Sequence, residues 1–280
     1  MTVVVVTDSA ARIPAPLRAR WGIPEVPLHI LADGADLSDG VDDMPADLME
    51  RGRVSTAAAT PEELRAAYRR AHAASDGDGV VAVHVSAELS GTVGAAWAAA
   101  GEFGDAVRVV DSRSAAMGAG FVALAAARAA ADGAELAVVA AAAATAAERG
   151  RAYLVVQRLE SLRRSGRIGG AGAWLGTALS LKPLLRIDNG KLVLAQRIRT
   201  AGKAIAAMVE RVCDTVGDQS AAIAVHHVDD PDGAAELAAT LADRLPQCPP
   251  AIVTGLGPVL GLHVGPGALG VCVDPAAPQY

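Results

Sequence analysis

The feature that most constrains this fold is an alternation between short β-branched runs and longer segments with a helical pattern. The chain begins with an uninterrupted apolar run over residues 3–6, and similar runs follow at 80–85 and 107–110. Continuous runs of this length are typical of strands that are buried on both faces of a sheet. Helical segments separate and follow these runs, at residues 61–73, 92–100 and 115–131. This order predicts an α/β fold with a mostly parallel sheet and helices on its faces.

A second block of elements begins near Gly150. A helix predicted over residues 134–149 ends there, and a strand predicted over residues 153–156 follows it. The turn sequence at residues 188–190, Asp-Asn-Gly, separates two apolar runs and indicates a hairpin. Beyond this turn we expect helices at 204–216 and 231–244 and strands at 221–225, 251–253 and 270–273. We therefore predict two packed α/β domains with a cleft between them, where ligands often bind. Their ranges are residues 1–150 and 151–280.

Charge and cysteine content exclude several functional classes. The formal net charge is −6, and the only arginine-rich segment lies within residues 158–167. Because nucleic-acid-binding proteins usually present a basic patch or stripe, we expect no nucleic-acid partner. The three cysteines, Cys213, Cys248 and Cys272, are far apart in the sequence and lack the spacing of metal ligands. They indicate buried, reduced thiols in a reducing compartment and no metal site.

An Ala-rich stretch over residues 115–147 has the length of a membrane span but not its composition. Arg128, Asp132 and Glu135 interrupt it, together with Gly133. These residues predict two helices of a soluble protein and no integral membrane span. The first residues show neither the positive region nor the cleavage site of a secretory signal. We therefore expect a cytoplasmic protein.

The first candidate site lies where the predicted strand at 80–85 is followed by the predicted helix at 92–100. Ser90, Gly91 and Thr92 occupy this junction, at the carboxyl edge of the parallel sheet and at a helix N-terminus. Two hydroxyls and free backbone N–H groups can bind a small anion there. Ser90 is also suited to cap the helix, and the two roles are compatible.

Two further segments carry candidate polar groups. Residues 54–61 have the pattern of a short hydroxyl-bearing loop before a helix, with Thr60 as the N-cap. His263 lies in the Gly-rich segment 255–270, which we interpret as a loop whose backbone approaches a ligand closely. Residues 265–270 match the letters of a dinucleotide fingerprint, but that motif must open a helix, whereas a terminal strand is predicted here.

These residues leave a catalytic alternative open. A Ser hydrolase acting on acyl esters would use Ser90 as the nucleophile and His263 as the base, with Asp8 as the orienting carboxylate. However, no Gly-x-Ser-x-Gly elbow surrounds Ser90. His226 and His227 are adjacent and have no spaced third ligand, which favours a structural role over a metal site.

Together, these motifs resemble those of the DegV family of bacterial fatty-acid-binding proteins. The resemblance extends over nearly the whole chain and depends on the order and spacing of motifs that are weak individually. The motifs lie at residues 7–10, 55–61, 86–92, 110–112 with Gly118, 159–168, 175–176, 181–184, 197–200 and 261–267.

The resemblance implies two α/β domains with a lipid tunnel between them. It also implies that the ligand is one long-chain fatty acid, such as palmitate, stearate or oleate. No cofactor is implied, and the chain is not expected to be an enzyme. The positions that hold the carboxylate in the family correspond to Thr56, Ser90, Gly91, Thr92 and His263.

The resemblance further implies a protein partner. A separate fatty acid kinase, similar to dihydroxyacetone kinases, would phosphorylate the carboxylate that this chain presents. Arg167 corresponds to the head-group entrance of the family, or to a kinase-docking position. One position departs from the family pattern, because Ala57 stands where relatives usually carry serine. This departure predicts a thinner head-group network unless Ser55 compensates, and it leaves the length and unsaturation of the lipid open.

Overall fold

The computed structural model describes residues 2–45, 48, 54–168 and 181–275 of the chain. The strands are, in chain order, β1 (Val4–Asp8), β2 (Glu25–Val26), β3 (His29–Ala32), β4 (Ala35–Ser38), β5 (Val54–Ala57), β6 (Val80–His84), β7 (Val107–Asp111), β8 (Arg151–Val155), β9 (Leu184–Asp188), β10 (Lys191–Gln196), β11 (Ala222–His227), β12 (Ile252–Gly255) and β13 (Leu269–Asp274). The α-helices are α1 (Ala15–Arg20), α2 (Pro61–Ala74), α3 (Thr92–Ala100), α4 (Met117–Ala131), α5 (Leu136–Arg149), α6 (Glu160–Ser165), α7 (Ala201–Val216), α8 (Pro231–Arg244) and α9 (Gly257–Val264). Across these described ranges, no helix combines the length and the apolar character needed to span a bilayer.

The first sheet is parallel throughout and has the strand order β2-β1-β6-β7. Its central strands are buried on both faces, because successive residues of a strand point to opposite sides of a sheet. Val5 belongs to the hydrophobic core that α4 and α5 share, whereas Val6 belongs to the core that α2 and α3 share. The predicted parallel sheet between two layers of helices is therefore confirmed.

The second sheet has the strand order β10-β9-β8-β13-β11-β12, and within it only β11 and β12 run parallel. Helices α7 and α8 cover one face of this sheet. The opposite face carries small side chains such as Ala152 and Ala224, and it joins the core of α4 and α5. The hairpin predicted at residues 188–190 is confirmed as the turn between β9 and β10.

The chain passes from the first sheet to the second near Gly150, between the end of α5 and the start of β8. One hydrophobic core contains side chains from both sides of this point. A shared core does not establish that either half folds alone. The division into domains 1–150 and 151–280 therefore stays a prediction.

The predicted helices agree well with the observed ones where local signals are strong. The predictions for 92–100 and 231–244 coincide with α3 and α8. Helix α2 extends one residue beyond its predicted end, and Thr60 forms the expected N-cap as part of a capping box with Glu63. The starts of α2 and α8 are predictable because each has a capping side chain and a proline in its first turn, whereas α3 has no side-chain cap.

The interpretation of residues 54–61 as a loop is wrong for its first half. Residues Val54–Ala57 form β5, which pairs antiparallel with β3, and β4 completes a small three-stranded sheet. The strand depends on hydrogen bonds from β3, a segment that lies before it in the chain. Such a pairing is set by the tertiary context and is not visible in the local sequence.

The interpretation of residues 255–270 as a loop is also wrong. Helix α9 occupies Gly257–Val264, and Pro258 lies in its first turn, where the missing N–H of proline is not needed. The helix buries Val259 and Val264. Because glycine is a poor helix former, the high glycine content of this segment conceals the helix. The rejected fingerprint at 265–270 leads into β13 and not into a helix.

The prediction that all three thiols are buried is wrong for two of them. Cys272 is buried, whereas Cys213 and Cys248 are half-buried and without a disulfide partner. The latter two pack against the margin of the core beneath α7 and α8.

A buried polar network fixes the junction between β1 and β6. Asp8 accepts hydrogen bonds from the backbone N–H groups of Ala10 and Val85, and its carboxylate lies 2.9 Å from His84 Nδ1. His84 Nε2 lies 2.7 Å from the Tyr68 hydroxyl. The side chains of Asp8, His84 and Tyr68 are fully buried. The network therefore holds together the carboxyl ends of both strands, from which the loops toward the first candidate site begin.

His226 connects the two halves of the molecule. Its Nε2 accepts a hydrogen bond of 3.1 Å from the backbone N–H of Met117, the first residue of α4. Its Nδ1 lies 3.1 Å from the carbonyl oxygen of Thr254 and donates to it. Burial lowers the pKa of His226 to about 3, which keeps the ring in the neutral form that can accept from Met117. The predicted structural role is confirmed for this histidine.

We predict that His226→Ala lowers the free energy of unfolding by about 3 kcal/mol, because the substitution leaves a buried N–H without its acceptor and opens a cavity. Urea unfolding followed by circular dichroism measures this change. The matched control is His227→Ala, since His227 is only half-buried; it should cost less than about 1 kcal/mol. Equal losses in both variants would contradict the role assigned to His226.

Candidate functional site

A cavity lies between the first and second sheets. It encloses about 1070 Å³, counting the solvent at its mouth. Most of its lining is aliphatic, and it comes from both halves of the chain. The lining residues are Ala10, Leu28, Thr56, Ala57, Ala58, Val85, Leu89, Ser90, Gly91, Ala115, Ala116, Ala152, Tyr153, Leu154, Leu162, Arg167, Ile187, Leu192, His226, Leu256, Val259, Leu260, His263, Val264, Gly270, Val271 and Cys272.

Thr56 and His263 form a polar pair in the wall of this cavity. Thr56 Oγ1 lies 2.9 Å from His263 Nε2. Strand β5 positions the threonine and α9 positions the histidine, and these two elements pack against each other. The structure therefore brings together two residues that are 207 positions apart and that the sequence assigned to the same site.

Ser90 and Gly91 add hydrogen-bonding groups to the cavity wall at the N-terminus of α3. Ser90 Oγ accepts from the backbone N–H of Thr92 at 3.3 Å and lies 2.8 Å from Thr92 Oγ1. Gly91 is the N-cap residue of α3 and contributes no side chain. The side chain of Thr92 is fully buried and does not line the cavity. Thr92 therefore contacts Ser90 and supports its orientation from behind.

The electrostatic environment favours a negative charge near His263. Burial, and after it the charge of Arg167, lowers the pKa of His263 to about 4. His263 Nδ1 is buried and has no hydrogen-bond partner among the residues that the structure describes. Arg167 is exposed, lines the cavity and donates from Nε to the Leu89 carbonyl oxygen at 3.4 Å. A guanidinium, a helix N-terminus and a neutral imidazole thus surround this part of the wall.

Ser55 does not supply to the cavity wall the hydroxyl that is missing at Ala57. Thr56 lines the cavity, whereas Ser55 is exposed and does not line it. Ala57 and Ala58 contribute only apolar surface to the wall. The thinner network that the departure at Ala57 predicts stays a prediction.

Sequence reasoning missed several cavity residues. His226, Tyr153 and Cys272 line the cavity from three adjacent strands of the second sheet, and His226 does so in addition to its structural role. The alternation of side chains along these strands was a usable signal for inward-facing positions. The sequence could not show which face of the strands borders a cavity. Residues 175–176, which support the family resemblance, lie outside the described residues.

The groups needed for a hydrolase are arranged differently in this structure. Asp8 contacts His84 and backbone N–H groups, while His263 Nε2 contacts Thr56. The hydroxyl of Ser90 contacts Thr92. Over the described part of the chain, no group of three or more His, Cys, Asp or Glu side chains is arranged to hold a metal ion.

Comparison with known proteins gives consistent results over the full length. A family model described as "Uncharacterised protein, DegV family" matches residues 2–276. The chain is 64% identical to a DegV domain-containing protein of Mycobacterium bovis over 277 residues, which cover 99% of each sequence.

Solved structures also resemble nearly the whole chain. One is described as fatty acid binding of a DegV family protein from Thermus thermophilus. Its TM-score is 0.91 at 32% identity, covering 98% of this chain and 99% of that one. Another is DegV, a fatty acid binding protein from Bacillus subtilis. Its TM-score is 0.87 at 30% identity, with the same coverage. The protein therefore belongs to the DegV family.

Proposed function

We propose that this chain binds one long-chain fatty acid in the cavity between its two sheets, with the carboxylate at Thr56, Ser90, Gly91 and His263. The observation that carries the proposal is an aliphatic cavity whose wall includes a Thr–His pair beside a helix N-terminus. The similar DegV proteins of Thermus thermophilus and Bacillus subtilis, both described as fatty acid binding, support this choice of ligand.

The aliphatic lining suits an acyl chain. A fatty acid of about sixteen carbons buries about 14 methylenes, worth about 11 kcal/mol at about 0.8 kcal/mol each before the costs of ordering. The small side chains of Ala10, Ala116 and Ala152, and the absence of a side chain at Gly270, leave room for such a chain. Palmitate, stearate and oleate are the ligands that we expect.

The carboxylate is the demanding part of the ligand, since a buried charge without partners costs several kcal/mol. Hydroxyls of Thr56 and Ser90 and the backbone N–H groups at the start of α3 can donate to it. Thr92 acts through Ser90, because its own side chain does not reach the cavity surface. Arg167 adds a positive charge at the exposed rim.

The proposed role is that of a carrier and not of an enzyme. Gly91 and Arg167 are both exposed, so the polar part of the cavity lies close to the protein surface. A separate kinase of the dihydroxyacetone-kinase type would then reach the carboxylate and form the acyl phosphate with ATP. Arg167 is the residue that we propose for the entrance or for docking that kinase.

We predict that mass spectrometry of a denatured extract recovers about one long-chain fatty acid per protein chain, because the aliphatic burial should retain the ligand through purification.

When ATP and the kinase are added to the lipid-loaded protein, acyl phosphate should form. Omitting the kinase should abolish the product.

Two outcomes would contradict different parts of this proposal. Recovery of no fatty acid, together with no binding of added oleate or palmitate, would overturn the proposed ligand. Labelling of Ser90 by a fluorophosphonate probe would instead support the acyl-ester hydrolase.

Removing either member of the polar pair should weaken oleate binding. We expect roughly a tenfold loss for Thr56→Val and roughly a hundredfold loss for His263→Ala, in line with one lost hydrogen bond to a charged group. Titration calorimetry or displacement of a fluorescent fatty acid measures both affinities. Thr240→Val is a matched control, since Thr240 is exposed on α8 and is not among the residues that line the cavity. A comparable loss in the control would show that the effect is not specific to the head group.

Binding of the carboxylate should raise the pKa of His263. Without lipid the pKa is about 4, because burial and Arg167 disfavour the charged ring. A carboxylate nearby favours the imidazolium, so the pKa should move upward when oleate binds. Histidine titration by NMR with and without oleate measures the shift. Arg167→Gln provides a control, since it should raise the lipid-free value. An unchanged or lower pKa in the lipid-bound protein would contradict the proposed contact.

A further inference from the structure

Arg12 lies outside the cavity but joins the first half of the chain to the segment that carries His263. It follows the short 3₁₀ turn after β1 and has a left-handed backbone conformation, with φ 53°. Its Nε donates a hydrogen bond of 3.1 Å to the carbonyl oxygen of Gly255, a residue 243 positions away. Gly255 is the last residue of β12, and α9 begins two residues later. The side chain of Arg12 therefore reaches the start of the helix that positions His263.

A buried carboxylate holds Arg12 in this place. Arg12 Nη1 lies 3.6 Å from Asp39 Oδ1, and the side chain of Asp39 is only 1% exposed. Burial raises the pKa of Asp39, and the charge of Arg12 opposes this rise. The contact is an ion pair without a hydrogen bond, because neither oxygen of Asp39 has a hydrogen-bond partner among the described residues. The directional contact of Arg12 is therefore the hydrogen bond from its Nε to Gly255.

Gly257 gives the guanidinium room at the first residue of α9. A Cβ added to this glycine would lie 2.5 Å from Cζ of Arg12, which is closer than real side-chain contacts allow. Gly257 also has φ +70°, a conformation that other residues rarely adopt. The guanidinium of Arg12 thus packs directly against the backbone where α9 begins.

Helix α9 has only eight residues, and it supplies Val259, Leu260, His263 and Val264 to the cavity wall. A helix this short has little stability of its own and depends on its tertiary contacts. The helix packs against α6, β3 and β5, and His263 contacts Thr56 near its C-terminal end. At its N-terminal end, Arg12 donates to Gly255 just before the helix and lies against Gly257. Because α9 has only about two turns, a displacement at its first turn should also move His263.

We infer that Arg12 is a positioning residue for fatty acid binding, which holds the first turn of α9 so that His263 meets the carboxylate. This inference rests on the proposed function. Asp39 is the ion-pair partner of Arg12. Gly257 lacks a side chain and so leaves room for the guanidinium.

The test is a double-mutant cycle between Arg12→Lys and His263→Ala, with oleate affinity as the measurement. Arg12→Lys keeps the charge beside Asp39 but loses the planar guanidinium, so the fold is retained. We expect about a tenfold weaker affinity for Arg12→Lys alone, as for one lost hydrogen bond to a charged group. In the His263→Ala background the same substitution should have no further effect, because residues that act through one contact are not additive. An equal loss in both backgrounds would overturn the inference.

Two matched controls separate positioning from general destabilisation. Arg18→Lys alters an arginine of the first half that pairs with Glu25, and it should leave oleate affinity unchanged. Gly257→Ala should weaken binding as Arg12→Lys does, whereas Gly217→Ala should not. Gly217 has φ +59° and nothing within 4 Å of an added Cβ, so it matches the backbone strain without the contact. Loss of affinity in either control to the same extent would count against a specific role of Arg12.

A second measurement keeps this inference separate from the proposed function. If the wild-type protein binds no oleate, the proposed function fails, and the NMR signal of the His263 imidazole in the lipid-free protein then decides the positioning role. Arg12→Lys should shift this signal and leave that of His84 in place, since His84 is held by Asp8 and Tyr68. An unshifted His263 signal would overturn the inference by itself.

Discussion

The hydrogen bond between Thr56 and His263 is the interaction on which the rest of the site depends, because it can form only when three separate parts of the chain are in place. The small antiparallel sheet must place Thr56 in the cavity wall, and α9 must place His263 beside it. The first and second sheets must also pack on the core that contains α4 and α5. None of these parts is close to another in sequence. The contact between Thr56 and His263 therefore forms only when these separate parts of the molecule have packed together.

Burying a histidine in an aliphatic wall has a clear energetic consequence. The ring is held neutral by burial and by Arg167, and its Nδ1 has no hydrogen-bond partner among the described residues. The pKa of His263 is about 6.5 in the unfolded chain and about 4 in the folded one, so the unfolded chain binds the proton first as the pH falls. Protonation therefore favours unfolding, and the stability present above about pH 6.5 is lost progressively toward about pH 4. The pKa of His226 is also lowered by folding, to about 3, so its protonation likewise favours unfolding. A carboxylate beside His263 would offset part of this penalty, so the site is more favourable with an anion than without one.

The sequence and the structure agree most closely where local physical chemistry decides the outcome. The β-branched run over β1, the N-cap at Thr60 and the Asp-Asn-Gly turn each act through neighbours within a few residues, and each is found as predicted. Strand β5 and helix α9 escaped prediction because the first depends on pairing with β3 and the second is rich in glycine. The site residues Thr56, Ser90, Gly91 and His263 do meet at one cavity, but their roles toward a ligand stay a prediction. Arg12 could not be recognised from sequence, since its partners lie at Asp39 and Gly255.

The late position of α9 and β13 in the chain has a consequence for synthesis. Both elements line the cavity, and β13 also forms the centre of the second sheet between β8 and β11. During translation the first sheet can form early from its own strands, whereas the cavity remains without one wall until residues 252–274 have left the ribosome. Such long-range contacts also form slowly once the chain is complete. The face of α4 that packs on β13 therefore has no partner in a nascent chain until those last residues have been made.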